Sequence, residues 1–272
     1  MKPSLFYAHI LTAADQQRCE VEPMLDAVRT LGYCGTDLSS EQLLKEPKEL
    51  PSRLKRVGME IASVYKFCKF NETFDKEEMT SFLESVAESE CRRVMIIPGF
   101  FRENSIRELE LQSMTEALAE TCELAQNYGI TVTLEDYDDV LSPCSSLSNL
   151  QCIFHAVPQL KFTLDTGNFI FDRAEFPSDV YPAVRDRIVH VHLKDRNKTP
   201  LTVGDTAFFG EGREAVYSAP IGAGYIPVKA CLSLLHADGY NGFLTVEHFG
   251  AADQFDYIKR SAEWLEKTLS RL

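Results

Sequence analysis

The chain reads as a single closed (β/α)8 barrel, and three observations carry that reading. Eight short apolar runs alternate with longer amphipathic stretches. Several of those stretches end on a Gly-containing step into the next run, where glycine suits the left-handed residue that closes a helix. The first run lacks the glycine-rich phosphate loop that usually follows strand one of an open, doubly wound sheet. Strand–helix alternation implies parallel strands with right-handed crossovers, and eight such units close a barrel. The chain has 272 residues, and barrels routinely run to ~250 residues as one domain. No Pro/Ser-rich linker or low-complexity segment divides it, so residues 1–272 are read as one domain.

In order, the runs are Leu5–Ile10, Tyr33–Leu38, Met59–Tyr65, Arg93–Ile97, Ile130–Glu135, Lys161–Asp165, Ile188–Leu193 and Phe243–Glu247. Helices are expected over Val21–Leu31, Lys76–Glu90, Ile106–Tyr128, Val228–Asp238 and Asp253–Leu272. The glycine steps are Gly32, Gly58, Gly129 and Gly239. The stretch Asp195–Pro227 is rich in Gly and Pro and is read as an extended loop after strand seven, placed to act as a lid.

Composition narrows the function classes. Lys and Arg number 28 against 41 Asp and Glu, a net charge of −13. Such a surface repels phosphate backbones and anionic membranes, so neither nucleic acid nor membrane is an expected partner. The eight cysteines are scattered, with no CxxC pair, and suit free thiols in a reducing cytosol. The N-terminal apolar stretch is short and broken by His9, and no run of eighteen apolar residues occurs. A cytoplasmic location is expected.

The last four strands share a pattern. They read Thr131-Val132-Thr133-Leu134-Glu135, Phe162-Thr163-Leu164-Asp165, Val189-His190-Val191-His192 and Leu244-Thr245-Val246-Glu247. Side chains alternate faces along a strand. One face takes Val and Leu, which suits packing against outer helices. The other takes Thr133 and Glu135, Thr163 and Asp165, His190 and His192, and Thr245 and Glu247. Each inward series ends in a metal-capable residue at a carboxyl end, where barrel active sites lie. Glu135, Asp165, His192 and Glu247 would converge from neighbouring strands. A single such residue is ordinarily a paired or hydrogen-bonded one; four in matching phase are not. Three carboxylates and one imidazole suit one hard to borderline divalent ion, Mn²⁺ best, with Mg²⁺, Co²⁺ or Zn²⁺ as alternatives.

These stretches resemble the sugar phosphate isomerase/epimerase family with the xylose-isomerase-like barrel. The matching segments are TLED at 133–136, LDTGN at 164–168, HVHLKD at 190–195, PIGAGYIP at 220–227 and TVEH at 245–248, with Gly32–Leu38 in the N-terminal half. The resemblance implies the same four ligands, with Glu135 and Glu247 doubling as proton-transfer groups. A metal held on a carbonyl and an adjacent hydroxyl stabilises the enediolate formed when the carbon between them loses its proton. Two carboxylates on opposite sides of that carbon can remove and return the proton on different faces. The expected activity is isomerisation or epimerisation of a small sugar or sugar derivative. The alternative is a lyase on the same scaffold, dehydrating a keto-inositol or eliminating from a keto-glycoside. Such barrels often pair, so a homo-oligomer is expected.

Two departures point away from a free-ketose 3-epimerase. Asn168 stands where those enzymes place a substrate-binding His, and Leu193-Lys194-Asp195 follows His192 where they carry Gly-Glu. Lys194 shares the inward phase of His190 and His192, reaching either a substrate oxygen or a neighbouring carboxylate. His190 lies one pleat repeat deeper, open to core structure or substrate contact. His9 and Lys66 are candidates for the pocket mouth. Asp136, Asp138 and Asp139 read as a solvated loop, with a second metal site as the alternative, and Gly222-Ala223-Gly224 as a tight turn. Phosphodiester hydrolysis in this fold uses several metals and more histidines than the six present. The intact four-residue set argues against a non-catalytic sugar-binding subunit.

Overall fold

A computed structural model describes residues 1–169, 176–209 and 214–272. Eight parallel strands close on themselves: β1 (Lys2–Phe6), β2 (Gly35–Ser39), β3 (Glu60–Phe67), β4 (Arg93–Ile97), β5 (Thr131–Glu135), β6 (Lys161–Asp165), β7 (Ile188–Asn197) and β10 (Phe243–Glu247). β10 pairs with both β7 and β1, which seals the barrel. The short strands β8 (Ala207–Phe208) and β9 (Val216–Ala219) form an antiparallel extension on the end of β7.

The outward residues of the strands, among them Leu5, Val64, Val132, Leu164, Val191 and Val246, are buried against the surrounding helices. That shell of aliphatic and aromatic side chains is the main hydrophobic core. The helix Arg107–Gln126 turns Met114, Leu118, Cys122 and Ala125 inward, a spacing of three or four residues that keeps one face apolar. Side-chain caps start several helices. Ser39 and Gln42 form a reciprocal capping box on Ser40–Lys45, and Asp75, Ser146 and Asp253 each accept from a first-turn backbone N–H. The expected glycine closures at Gly32, Gly58, Gly129 and Gly239 all have positive φ.

Three readings are corrected. The first strand is Lys2–Phe6, and Tyr7–Gln17 is a helix. The run Leu5–Ile10 mixes the end of a strand with the buried face of that helix, where Tyr7, Ile10 and Ala14 recur at helical spacing. Helices over Glu49–Arg56, Leu147–Ala156 and Pro177–Val184 were not expected; at 8, 10 and 8 residues each spans too few turns for its repeat to stand out along the sequence. The stretch Asp195–Pro227 is not simply a loop, because β7 runs on to Asn197 and pairs with β9. Residues 210–213 of that stretch lie outside the described residues.

Candidate functional site

Strand register brings the inward series together. Asp165 lies beside His192 and Thr163 beside His190. On the other side of β7, Thr245 lies beside His192 and Glu247 beside Lys194. Glu135 pairs in register with Thr163, one step of the barrel's stagger away. Glu135, Asp165, His192 and Glu247, all buried, each offer one ligand-capable atom, and these atoms lie within 4.8 Å of one another. The Nδ1 of His192 contacts Glu135 Oε1 and lies 3.8 Å from Glu247 Oε2.

The floor beneath this group is polar. Sequence reasoning missed its centre, Asp37 on β2, which is 1% exposed. Its Oδ2 lies 2.8 Å from His190 Nε2 and 3.1 Å from His192 Nε2, and its Oδ1 accepts from the Thr245 hydroxyl at 2.8 Å. Burial opposes its negative charge, but the two imidazoles outweigh that and hold its carboxyl well below the usual range. Arg93 Nη1 reaches the Ala62 carbonyl and lies 3.4 Å from His190 Nδ1, and the hydroxyls of Thr133 and Thr163 share a hydrogen bond of 2.8 Å. His190 is therefore a floor residue, with contacts on both ring nitrogens. Asp37 was legible in principle, since it stands in the inward phase of its strand two residues beyond Gly35.

Asp165 carries the test of fit for a cation. Its Oδ1 accepts the Gly167 N–H at 2.7 Å, whereas its buried Oδ2 has no hydrogen-bond partner. Asp136 repeats the pattern: Oδ1 accepts the Asp165 N–H at 2.8 Å, and the buried Oδ2 has none. Buried carboxylate oxygens without a hydrogen bond are costly, and the Lys194 ammonium 3.5 Å from Asp165 Oδ2 offsets that only in part. Burial raises the carboxyls of Glu135, Asp165 and Glu247 above their usual range, against the pull of His192 and Lys194. Three clustered carboxylates and an imidazole with a nitrogen turned toward them suit a divalent ion, which would give Asp165 Oδ2 a partner and offset the buried negative charge of the group. Asp136 is fully buried, so the solvated-loop reading does not hold for it.

Lys194 and Asn168 meet at the edge of the group. Lys194 Nζ donates to Asn168 Oδ1 at 2.6 Å and to Glu247 Oε1 at 2.7 Å, and lies 3.5 Å from Asp165 Oδ2. Burial works against its charge, but Asp165 and Glu247 outweigh it and hold the ammonium above its ordinary range. Asn168 Nδ2 donates in turn to the Asp136 carbonyl at 2.7 Å. Gly167 lets this packing form, because a Cβ there would lie 3.0 Å from Lys194 Cγ. Farther out, Arg196 Nη2 pairs with Asp138 Oδ2 at 2.5 Å.

Above the group opens a cavity of about 290 Å³. Glu135, Glu247, Asn168 and Lys194 line it, and His9 and Lys66 do not. His9 lies buried on the helix Tyr7–Gln17, where its Nε2 accepts the His248 N–H at 3.0 Å. Lys66 points to the outer layer and pairs with Glu78 at 2.9 Å. Both departures have a local cause. His9 is helical because β1 ends at Phe6, and Lys66 stands between the inward residues Tyr65 and Phe67.

Residues 25–268 match the family of xylose isomerase-like TIM barrels, and the chain belongs to that family. Among solved structures it resembles the probable 3-DHS dehydratase AsbF from Bacillus anthracis, with a TM-score of 0.76 at 17% identity over 98% of this chain and 99% of that one. It also resembles the IolI protein with a bound zinc atom, at 0.75 and 17% over 100% and 99%. A third is the 3-keto-D-glucoside 4-epimerase YcjR from E. coli, at 0.72 and 16% over 98% and 99%. At these identities the likeness is one of fold. No curated protein matches the chain in sequence. No helix among the described residues is long and apolar enough to cross a membrane.

Proposed function

We propose that the protein is a divalent-metal-dependent isomerase or epimerase of a small sugar derivative, working by proton transfer at the carbon beside a carbonyl. Glu135, Asp165, His192 and Glu247 would hold the ion, with Mn²⁺ the best match to three oxygen donors and one nitrogen. Such an ion supplies Lewis acidity that stabilises negative charge developing on the substrate's carbonyl oxygen.

The observation that carries the reading is the placement of Glu135 and Glu247. They come from β5 and β10, which flank the pair β6–β7, and both reach toward the same nitrogen of His192. Two carboxylates arriving from separate strands can address opposite faces of one carbon. Burial lifts both carboxyls above their ordinary range, against the pull of His192 and Lys194. Lys194 stays charged beside Glu247 and is suited to binding a substrate oxygen, as is Asn168. The fold is shared with sugar epimerases and with a dehydratase, which suits an enzyme of this kind.

The test is a screen of metal-depleted protein reloaded with Mn²⁺, Mg²⁺, Co²⁺ or Zn²⁺. Keto-sugars, keto-inositols and keto-glycosides are incubated in D₂O and followed by NMR. Deuterium at the carbon beside the carbonyl, with an epimer or isomer as product, is the expected result. An eliminated product would move the assignment to the lyase alternative. Absence of exchange with every metal and substrate would overturn the proposal.

A further inference from the structure

The cavity has two unlike halves. Strands β5 to β7 and β10 line one half with Glu135, Lys194, Arg196 and Glu247, joined by Asn168 from the turn after β6 and Asp138 from the loop after β5. The added strands β8 and β9 contribute Phe208 and Ser218. The opposite half is an arc of rings. Phe249 packs edge-on against Phe6 at 5.6 Å between centroids, and Phe6 against Tyr65 at 5.6 Å. Tyr65 then meets Phe67 at 6.4 Å, and Phe67 meets Tyr137 at 6.5 Å. Met95 and Ile97 of β4 complete this wall.

Edge-to-face contact fixes each ring by its neighbours, so the arc is formed before anything binds. Its polar capacity is two phenol hydroxyls. A polyol placed against it would lose hydrogen bonds to water and regain few. One ring is enough to stack on a sugar's apolar face; five in sequence, with Met95 and Ile97, make a surface for something apolar. The outer rings are also open, with Phe67 50% and Phe249 40% exposed. Phosphate has no ready partner among the described residues. The two cations lining the cavity are Lys194, held by Glu247, and Arg196, held by Asp138. A neutral substrate hydroxyl can share Lys194 with Glu247, whereas a phosphate would compete with that buried carboxylate, and the Arg196 guanidinium is 3% exposed and already engaged by Asp138 and the Gly167 carbonyl.

We propose that the substrate is an unphosphorylated keto-sugar joined to an apolar, aromatic substituent, with its carbonyl end toward Glu135 and Glu247 and its aryl group in the arc. The carbonyl end rests on the proton-transfer reading above; the aryl group rests on the arc alone. The two parts are therefore tested separately. For the arc, the full chain loaded with Mn²⁺ is titrated by calorimetry with phenyl β-D-glucopyranoside, methyl β-D-glucopyranoside and methyl β-D-glucopyranoside 6-phosphate, glycosides locked at C1 that carry no carbonyl to react. Phenyl glucoside is expected to bind about tenfold tighter than methyl glucoside. That preference should fall to about twofold or less in Phe67→Ala and in Phe249→Ala, two half-exposed positions where the fold tolerates truncation. Phenyl glucoside binding no tighter than methyl glucoside, or more weakly than the phosphate, overturns the proposal. So does a preference that survives both substitutions. Deuterium exchange on keto-sugars without an aryl preference would keep the proton-transfer reading and remove this one. An aryl preference without exchange on any keto-sugar would keep the aryl site and remove the proton-transfer reading together with the carbonyl end that rests on it.

Discussion

His192 has two ring nitrogens with different company, and that difference sets what it can do. Asp37 sits 3.1 Å from Nε2, while Nδ1 faces Glu135 and Glu247. A proton on Nε2 donated to Asp37 leaves the Nδ1 lone pair for an ion, the arrangement in which an outer carboxylate orients a ligating imidazole. His192→Ala should weaken Mn²⁺ binding by ~10²-fold or more, and Asp37→Asn by roughly 10-fold to 100-fold, in a competition titration with a chelating dye. His190→Ala should stay within about tenfold of the parent, because its polar contacts go to Asp37, Arg93 and Thr245 and it meets the four-residue group only through edge-on packing on His192 at 5.2 Å. Equal loss at His190 and His192 would mean that both coordinate. Glu135→Gln and Glu247→Gln keep size and an oxygen donor but remove the basic site. At measured full occupancy, each should lose ~10²-fold or more of solvent-deuterium exchange. If both exchange at the parent rate, the proton is handled by another group, and Lys194 becomes the candidate.

At the scale of the element, Asp195 explains why the segments HVHLKD and PIGAGYIP go together. Its carboxylate accepts the backbone N–H groups of Gly222, Gly224 and Ile226 at 2.9, 3.0 and 3.1 Å. The turn after β9 is thus strapped to the end of β7, next to Lys194 and Arg196. Gly224 is required by close approach, since a Cβ there would fall 2.1 Å from Asp195 Oδ1 and 2.2 Å from the Arg196 carbonyl. Gly224→Ala should therefore destabilise the chain by ~2–4 kcal/mol in urea unfolding, and Asp195→Ala by about 1–3 kcal/mol, because the N–H groups of Gly222, Gly224 and the buried Ile226 lose their acceptor. A change below about 0.5 kcal/mol for both would show that the strap is incidental. The tight turn read at 222–224 was legible from its glycines. Its acceptor was not, because nothing in local spacing links Asp195 to a turn 27 residues on.

For the whole molecule, acid is the expected weakness. Burial holds the His9 imidazole well below its ordinary range, with His248 and Lys194 adding to the effect. Burial alone pushes His248 down to about 3. Both rings are therefore neutral in the folded chain, stacked at 4.9 Å between centroids, and take up protons when it unfolds. Their contribution to stability is complete above the unfolded value of ~6.5 and is lost as pH falls toward the folded values, at ~1.4 kcal/mol per pH unit for each group. Urea midpoints should drop steeply from pH 6.5 to 5. His9→Gln, which keeps an acceptor for the His248 N–H, should flatten that slope; parallel slopes would exclude His9 as a contributor. Metal acts in the other direction. Three buried carboxylates repel one another, so the metal-depleted chain should melt several degrees below the Mn²⁺-loaded one in calorimetry. Identical melting temperatures would argue against an ion in this group.

The alternation of eight runs and the inward phase of Glu135, Asp165, His192 and Glu247 were set by the sequence alone. Both are local periodicities, and a strand's two faces follow from backbone geometry without reference to any neighbour. Even there the ends were harder to place, as β1 shows: an apolar run serves a strand and the buried face of a helix equally well. What tertiary structure decided is everything that depends on register between distant strands. It put Asp37 beneath two histidines more than 150 residues away, turned His9 and Lys66 away from the cavity, and joined five rings from separate segments into one wall. The physical reason is that stagger between strands is fixed by closing the sheet on itself, a condition no single strand carries.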